Sequence, residues 1–537
     1  MSRIFPIALY ACVTLILLLC AIPPSHIPYA ETLRQWKFFY VSIILLGIIL
    51  FILVTAVNDE YKSYYYRSVS FALLLTGGVE SLWGILQMCS ILPSFNSTHI
   101  VTGSFFNSGP YACYLAMCIP VGIELIHQTN ETHKRIVCVV VALMFMLLIV
   151  TMSRTGCLAA FISVLCYFCI SKPFLYDRKL LWNGKRRLSY VILFIFVSVL
   201  LIISMFTLCK IDSAKNRIQI WKIELLAIAE KPNGYGRGQF QMAFSNAQER
   251  LHEKSEAVPL DHISAPYHAF NEYLSLAIEY GVATLSGAML LIFFLFRYLY
   301  RKKKYGLFCA LFSLAVSSIA SYPFHFPLFV MSLLLLFCCP LVDYIFVHRA
   351  KYIIMPLSIL VVLFYVCFLN IHLKQQKIKA CLNWSAIRVY WGMRLDERAY
   401  PLYQAMFKEM KWNDMFLYEY GALLSRCGKY KISNDVMFEL SLRNSDIAPL
   451  LTIADNFINL GQYKSSEFIL CKARNRQPNK ILPYYKLIKL YSCREYYNYC
   501  RLQETINNVE KLRISVVSPA TNQMMREIEK IKGYEMH

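Results

Sequence analysis

Four groups of residues have the types and spacing for chemistry. Ser153-Arg154-Thr155-Gly156 sets a guanidinium in a tight turn between two apolar runs. There Arg154 can grip a phosphate with two parallel hydrogen bonds, or simply snorkel and anchor the end of a span. The second group joins Arg217 and Trp221 to Lys231-Pro232-Asn233-Gly234-Tyr235-Gly236-Arg237-Gly238. Glycines at alternate positions let the backbone approach an anion and offer amide N–H groups as a nest, with Arg237 as counter-charge. A pyrophosphate suits two arginines and a nest; the same run also reads as a plain glycine-rich surface turn. The third group runs from Pro266 to Leu274 and into an apolar stretch. On a helix, His268, Glu272, Ser275 and Glu279 fall at gaps of four, three and four, one polar stripe on an apolar cylinder. A histidine on that stripe can act as a general base, or sit at the interface hydrogen-bonding a neighbouring helix. The fourth is Glu80, with Gln87 two turns on, an ionisable group midway through an apolar run that must find a partner. The expected partner is one of the arginines, and a purely structural pair is the alternative. His325, in Ser321-Tyr322-Pro323-Phe324-His325-Phe326-Pro327, is a weaker candidate and reads more readily as a loop cap.

The elements that must position these groups are membrane helices. Of 537 residues 57% are hydrophobic and 16% charged, and the mean hydropathy is +0.44, which excludes a soluble globular class. Runs of span length predict about eleven transmembrane helices: Ile4–Ile22, Phe38–Ala56, Ser68–Ser90, Pro110–Ile126, Ile136–Met152, Thr155–Ile170, Tyr190–Leu208, Asn271–Leu299, Tyr305–Ser321, Phe326–Phe346 and Ile353–Asn370. Alternate loops are rich in Lys and Arg, as in Lys172–Arg187 and Arg297–Lys304, while Leu92–Gly109 has none. The positive-inside bias predicts a cytoplasmic N-terminus, an external C-terminus and a long external loop over 210–267. The formal charge of +22 is therefore orientation chemistry, and no nucleic-acid module is present. Cysteines within apolar runs behave as small hydrophobes. The single C-x-x-C, Cys166 to Cys169, has no second pair, so no metal site is expected, nor any cofactor. The first run reads as a retained span, because no small-residue cleavage site follows it.

After Asn370 the pattern changes to amphipathic helix pairs. Gly428-Lys429-Tyr430 recurs as Gly461-Gln462-Tyr463 at an interval of 33 residues, with Arg494-Glu495-Tyr496 as a degenerate third copy. The period and the placement of the glycine resemble tetratricopeptide repeats, whose concave surface suits a protein or glycan partner. The predicted fold is thus all-α: a polytopic membrane helix bundle over 1–370, a linker with a first amphipathic helix over 371–400, and periplasmic helical repeats over 401–537.

Taken in order, Glu80…Gln87, Gly103-Ser104-Phe105-Phe106-Asn107, Ser153-Arg154-Thr155-Gly156, Arg217…Trp221…Pro232…Gly234-Tyr235-Gly236-Arg237-Gly238…Phe240 and His268…Asn271-Glu272-Tyr273-Leu274…Glu279-Tyr280-Gly281 resemble the O-antigen ligase and polymerase superfamily, which includes bacterial O-linked oligosaccharyltransferases. The resemblance implies metal-independent transfer of a glycan from an undecaprenyl pyrophosphate carrier to an acceptor hydroxyl at the periplasmic face of the inner membrane. It implies that Arg154, Arg217 and Arg237 bind the pyrophosphate, and that a loop histidine activates the acceptor. The catalytic set is then His268, Arg217 and Arg154; the substrate-binding set is Arg237, Gly236, Gly238, Asn271, Glu80 and Glu272. The chain departs from the family pattern in one place: Phe270 precedes Asn271 where the family has histidine, and His268 stands two positions earlier. The acceptor is lipid A core, another glycan or a protein, the rival activities being repeat-unit polymerisation and protein glycosylation. Other partners are membrane lipids and a protein on the repeats. A transporter would gather polar groups at the bilayer midplane, and a non-catalytic assembly scaffold would not need the arginine and glycine cluster.

Overall fold

A computed structural model describes residues 4–22, 33–55, 60–171, 211–254, 266–347, 354–512 and 518–535, and among these no strand occurs. The helices are α1 (Ile4–Cys20), α2 (Leu33–Thr55), α3 (Glu60–Met88), α4 (Ser108–Gln128), α5 (Glu131–Val150), α6 (Arg154–Ile170), α7 (Ile211–Glu230), α8 (Phe240–Lys254), α9 (Glu272–Tyr280), α10 (Val282–Arg301), α11 (Tyr305–Ala320), α12 (Pro327–Val347) and α13 (Ile354–Gly392). They continue with α14 (Asp396–Met410), α15 (Asp414–Arg426), α16 (Tyr430–Ser441), α17 (Ala448–Asn459), α18 (Tyr463–Arg476), α19 (Ile481–Tyr491), α20 (Tyr499–Glu510) and α21 (Pro519–Glu535). The chain divides into two compact units. The membrane unit is Met1–Cys209, Phe270–Tyr273 and Ser286–Ile378; the second unit is Lys210–Ala269, Leu274–Leu285 and Lys379–His537.

Among the described residues six stretches are long and apolar enough to cross a bilayer: Leu33–Leu53, Ser63–Met88, Ser108–Gln128, Glu131–Val150, Val282–Arg301 and Pro327–Tyr344. Phe5–Cys20, Arg154–Ile170 and Tyr305–Ala320 are shorter apolar helices. The protein is a polytopic helical membrane protein. The expected span Tyr190–Leu208 lies outside the described residues. The expected Ile353–Asn370 span is the first part of α13, which runs unbroken to Gly392. In the membrane unit α4 is the central helix, buried along nearly its whole length and packed against α3, α5, α6 and α11. Small residues permit the close approach. A Cβ on Gly156 would stand 2.5 Å from the Cβ of Ala112, and one on Gly77 would meet Met144 and Cys118.

The second unit holds the long-loop helices and the helix pairs. Gly428 and Gly461 end α15 and α17 in the left-handed region, at φ of 74° and 71°. Around them the N–H groups of Lys429 and Gln462 reach back to the carbonyls of Leu424 and Phe457, the same cap twice. Ser433 Oγ donates to Gly421 O and Ser466 Oγ to Ala454 O, again one repeat apart. The cap also occurs earlier, where Arg394 takes φ of 56° and Leu395 N–H bonds Tyr390 O. A sequence search for glycine passes over that copy.

One sequence expectation is corrected. Asn271–Leu299 is two helices, because α9 and α10 break at Gly281, φ 90°. The loop segment fills the break. Tyr235 N–H bonds Ile278 O at 2.8 Å, Gly236 N–H bonds Glu279 O at 2.9 Å, and Val282 N–H bonds Pro232 O at 2.9 Å. Gly234, φ 88°, lies so close that a Cβ there would stand 2.7 Å from Gly281 N and from Glu279 O; one on Gly281 would stand 2.8 Å from Asn233 C. Both glycines thus have a conformational and a steric reason. Gly238 has only the first: its φ is 75°, but nothing lies within 4 Å of its missing Cβ. Gly234→Ala and Gly281→Ala are expected to cost about 2–4 kcal/mol each, against about 1 kcal/mol for Gly238→Ala. Thermal unfolding of the purified protein in detergent checks this, and equal midpoints for the three variants would refute it.

Candidate active site

In the membrane unit the polar residues expected at the site gather around a set of connected turns. Glu80, fully buried on α3, accepts the Ser104 N–H at 3.0 Å and the Ser104 hydroxyl at 2.7 Å. Two turns on, Gln87 Oε1 accepts the N–H groups of Thr102 and Gly103, both at 2.9 Å, while its amide group donates to Pro93 O at 3.1 Å. Together they template the 102–107 loop. Gly103 adopts φ of 55° there, and a Cβ on it would fall 2.3 Å from Glu80 Oε2. The loop ends at Asn107, which caps α4 by accepting Gly109 N–H at 3.2 Å and donates to Tyr322 OH at 3.1 Å. Ser153 caps α6 by accepting Gly156 N–H at 3.3 Å, which places Arg154, half-buried, in the first turn. The neighbouring Thr155 Oγ1 donates to Ala320 O at 3.5 Å, at the end of α11.

The Ala320–Phe326 segment brings in a further polar pair. Glu272, at the start of α9, accepts Phe324 N–H at 2.8 Å, and His325 Nδ1 lies 3.6 Å from the same carboxylate oxygen. Asn271 accepts Tyr273 N–H at 3.0 Å, starting α9, and Tyr273 OH donates to Ala315 O at 2.9 Å. The membrane unit therefore collects Glu80, Arg154, Asn271, Glu272 and His325. Two expectations change. Glu80 bonds Ser104 where an arginine partner was expected, since the loop's own amide and hydroxyl reach its carboxylate. His268 is not on the helical stripe: α9 begins only at Glu272, and His268 sits in the preceding non-helical stretch with its ring edge-on to Tyr267 at 4.7 Å. The histidine beside a carboxylate is His325. The signal for it was Pro323 and Pro327, which bracket a one-turn helix at Pro323–His325.

In the second unit α7 carries Arg217 and Trp221, both half-buried, and leads into the glycine-rich turn. The nest expected there is differently used. The Gly234 N–H closes the turn on Lys231 O, and the N–H groups of Tyr235 and Gly236 bond Ile278 O and Glu279 O, because the broken helix beside them needs donors. Arg237 stands exposed between Gly236, φ 107°, and Gly238. Tyr235 is gripped by Glu230, Arg250 and Lys231: its hydroxyl donates to Glu230 at 3.3 Å, Arg250 bonds the same Glu230, and Lys231 Nζ stands 5.2 Å from its ring centre. Among the described residues no three His, Cys, Asp or Glu side chains are grouped to hold a metal ion.

Sequence reasoning missed Glu224. It lies two turns beyond Arg217 on the same face of α7, is 0% exposed, and neither carboxylate oxygen has a hydrogen-bond partner. Its signal was the spacing Arg217, Trp221, Glu224 along one stripe. Burial pushes the carboxyl up to about 8, so the group is protonated at neutral pH. The raised value favours the folded state below the usual carboxyl range of about 4.3, and the advantage fades as pH rises from there to about 8. Glu224→Gln, neutral at every pH, is expected to leave the thermal midpoint unchanged at pH 4 and to raise it at pH 8.5. Parallel pH profiles for variant and parent would show that Glu224 does not ionise against its surroundings.

Residues 139–289 match the family described as O-antigen ligase, a segment that runs from within α5 into α10 and contains Arg154, Arg217, Glu224, the glycine-rich turn, His268 and Glu272. No curated protein matches the chain. Members of this family are glycosyl-transferring enzymes of the ligase and polymerase type, with a lipid-linked glycan as donor and a glycan acceptor. This helical membrane protein is thus similar to the O-antigen ligase family over residues 139–289, the segment that holds the long loop.

Proposed function

We propose that the protein transfers an O-antigen-like glycan from an undecaprenyl pyrophosphate carrier to an acceptor hydroxyl at the periplasmic face of the inner membrane, in the manner of an O-antigen ligase. The observation that carries this reading is that the family match covers Arg154, Arg217 and Arg237 together with the His268–Glu272 segment. Breaking the sugar–phosphate bond leaves a diphosphate, so the transition state gains negative charge on phosphate oxygens. Fixed guanidinium groups stabilise that charge more in the transition state than in the ground state. Arg154, Arg217 and Arg237 take this role, with Gly236 and Gly238 shaping the turn that carries Arg237. Asn271 and Glu272 contribute to the acceptor side, where Glu272 orients the His325 imidazole. Glu80 acts through the loop it templates. The helix pairs after α13 serve as a tetratricopeptide-like surface for a protein partner.

A second reading, polymerisation of lipid-linked repeat units, uses the same donor chemistry. The repeat array favours ligation to a separate acceptor, since joining two identical lipid-linked units needs no such surface. Deleting the gene and examining the lipopolysaccharide separates the two. Loss of long glycan with accumulation of polymerised lipid-linked glycan supports ligation; caps of a single repeat unit support polymerisation.

In a transfer assay Arg217→Ala is expected to lower activity by about 10²-fold or more. His268→Ala should leave measurable transfer, and His325→Ala should reduce it by about 10-fold to 10²-fold, as for loss of a general base. The reverse order, with Arg217 dispensable and His268 essential, would count against charge stabilisation as the dominant effect.

A further inference from the structure

On the flank of the membrane unit, a groove of about 1150 Å³ opens between α1, α3 and the corner where α4 turns into α5. Its walls are apolar: Leu15 and Leu18 from α1, Phe71 and Leu75 from α3, several of them exposed. The two helices pack side by side, with Tyr10 edge-on against Phe71 at 5.6 Å. From Ile7 to Leu18 the groove follows eleven residues of α1, about 16 Å of helix, roughly half of a 30 Å hydrocarbon core. That is the depth of one leaflet.

The polar lining is placed unevenly. Arg67, Gln128 and His133 stand together at one end, where α3 begins, α4 ends and α5 begins. The neighbouring carboxylate, Glu131, is bonded to Lys134 at 3.1 Å. Deeper in the groove the polar side chain is Thr14, one turn beyond Tyr10, buried, with a hydroxyl that has no hydrogen-bond partner. An occupant that fits has an anion at one end, a hydrogen-bond acceptor about one helical turn deeper, and an apolar tail one leaflet long. A free phosphate leaves the apolar walls wet, and a bare hydrocarbon chain leaves Arg67 and Thr14 unused.

We propose that this groove is a binding site for an anionic glycerophospholipid. Its phosphate lies on Arg67 and His133, an ester carbonyl accepts from Thr14, and an acyl chain runs along α1 and α3. The site is separate from the residues proposed for glycosyl transfer, since Arg67 and Glu80 are thirteen residues apart on α3, about 20 Å.

The test uses the full chain in nanodiscs of equal phosphatidylglycerol and phosphatidylethanolamine, released into native mass spectrometry to count retained lipids. The parent protein is expected to keep phosphatidylglycerol over phosphatidylethanolamine by about fivefold, the preference that about 1 kcal/mol from the Arg67 guanidinium alone gives at a membrane surface. Arg67→Gln with His133→Gln should remove the preference, whereas Lys134→Gln with Arg135→Gln should keep it. Leu75→Trp, which fills the groove, should lower retention of both lipids. Size-exclusion profile and melting midpoint establish that each variant is folded. The proposal is overturned if the Lys134 and Arg135 pair matters as much as Arg67 and His133, if the parent shows no headgroup preference, or if a folded Leu75→Trp protein retains as much lipid as the parent.

Discussion

Three backbone hydrogen bonds across a helix break hold the glycine-rich loop of this protein in place. Where α9 stops at Tyr280, the carbonyls of Ile278 and Glu279 lose the partners a continuous helix would give them, and the N–H of Val282 begins a new helix without one. Tyr235, Gly236 and Pro232 supply all three. In an apolar setting each unmet group would cost several kcal/mol, so the break and the loop stabilise each other or neither persists. Gly234 and Gly281 are the condition for this contact, because a side chain on either would meet backbone atoms that cannot move aside. Arg237 follows directly after the bonded residues, and α7 with Arg217 ends directly before them, so the positions of both guanidiniums derive from this junction.

The membrane unit uses its buried polar groups in a related way. Glu80 and Gln87 spend their hydrogen-bonding capacity on amides and a hydroxyl of the 102–104 segment, which fixes the loop leading to the Asn107 cap. The charged groups with room to react lie further along, in Arg154 at the first turn of α6 and in Glu272 with His325. Burial separates the two roles: a carboxylate enclosed by its own loop is a template, and one beside a half-exposed imidazole can take part in proton transfer.

How much of this was legible in the sequence depended on the kind of signal. Apolar runs revealed the membrane helices because span length is set by the bilayer and not by neighbouring residues. The arginines and the glycine-rich turn stood out by type. The break at Gly281 did not, since a single glycine in an apolar run is also tolerated in an unbroken helix, and only the backbone of residues 232–236 arriving from elsewhere decides between them. The same arrival converts the expected nest into a splice. Arg394 shows a different limit: a left-handed cap filled by arginine has no compositional mark, though its hydrogen bonds match those at Gly428 and Gly461. Glu224 was passed over because its burial depends on α8 packing against α7.

One contact in the second unit bears on how such proteins diversify. Arg476 of α18, 1% exposed, donates to Ser441 O at 3.1 Å and places its Nε 3.5 Å from Glu249 of α8, so a repeat helix and a loop helix share a buried charge pair. Removing either partner would strand the other in a medium that tolerates lone charges poorly. Exchanging α18 for a helix without that arginine therefore calls for a matching change at Glu249, so the two segments depend on one another through one ion pair.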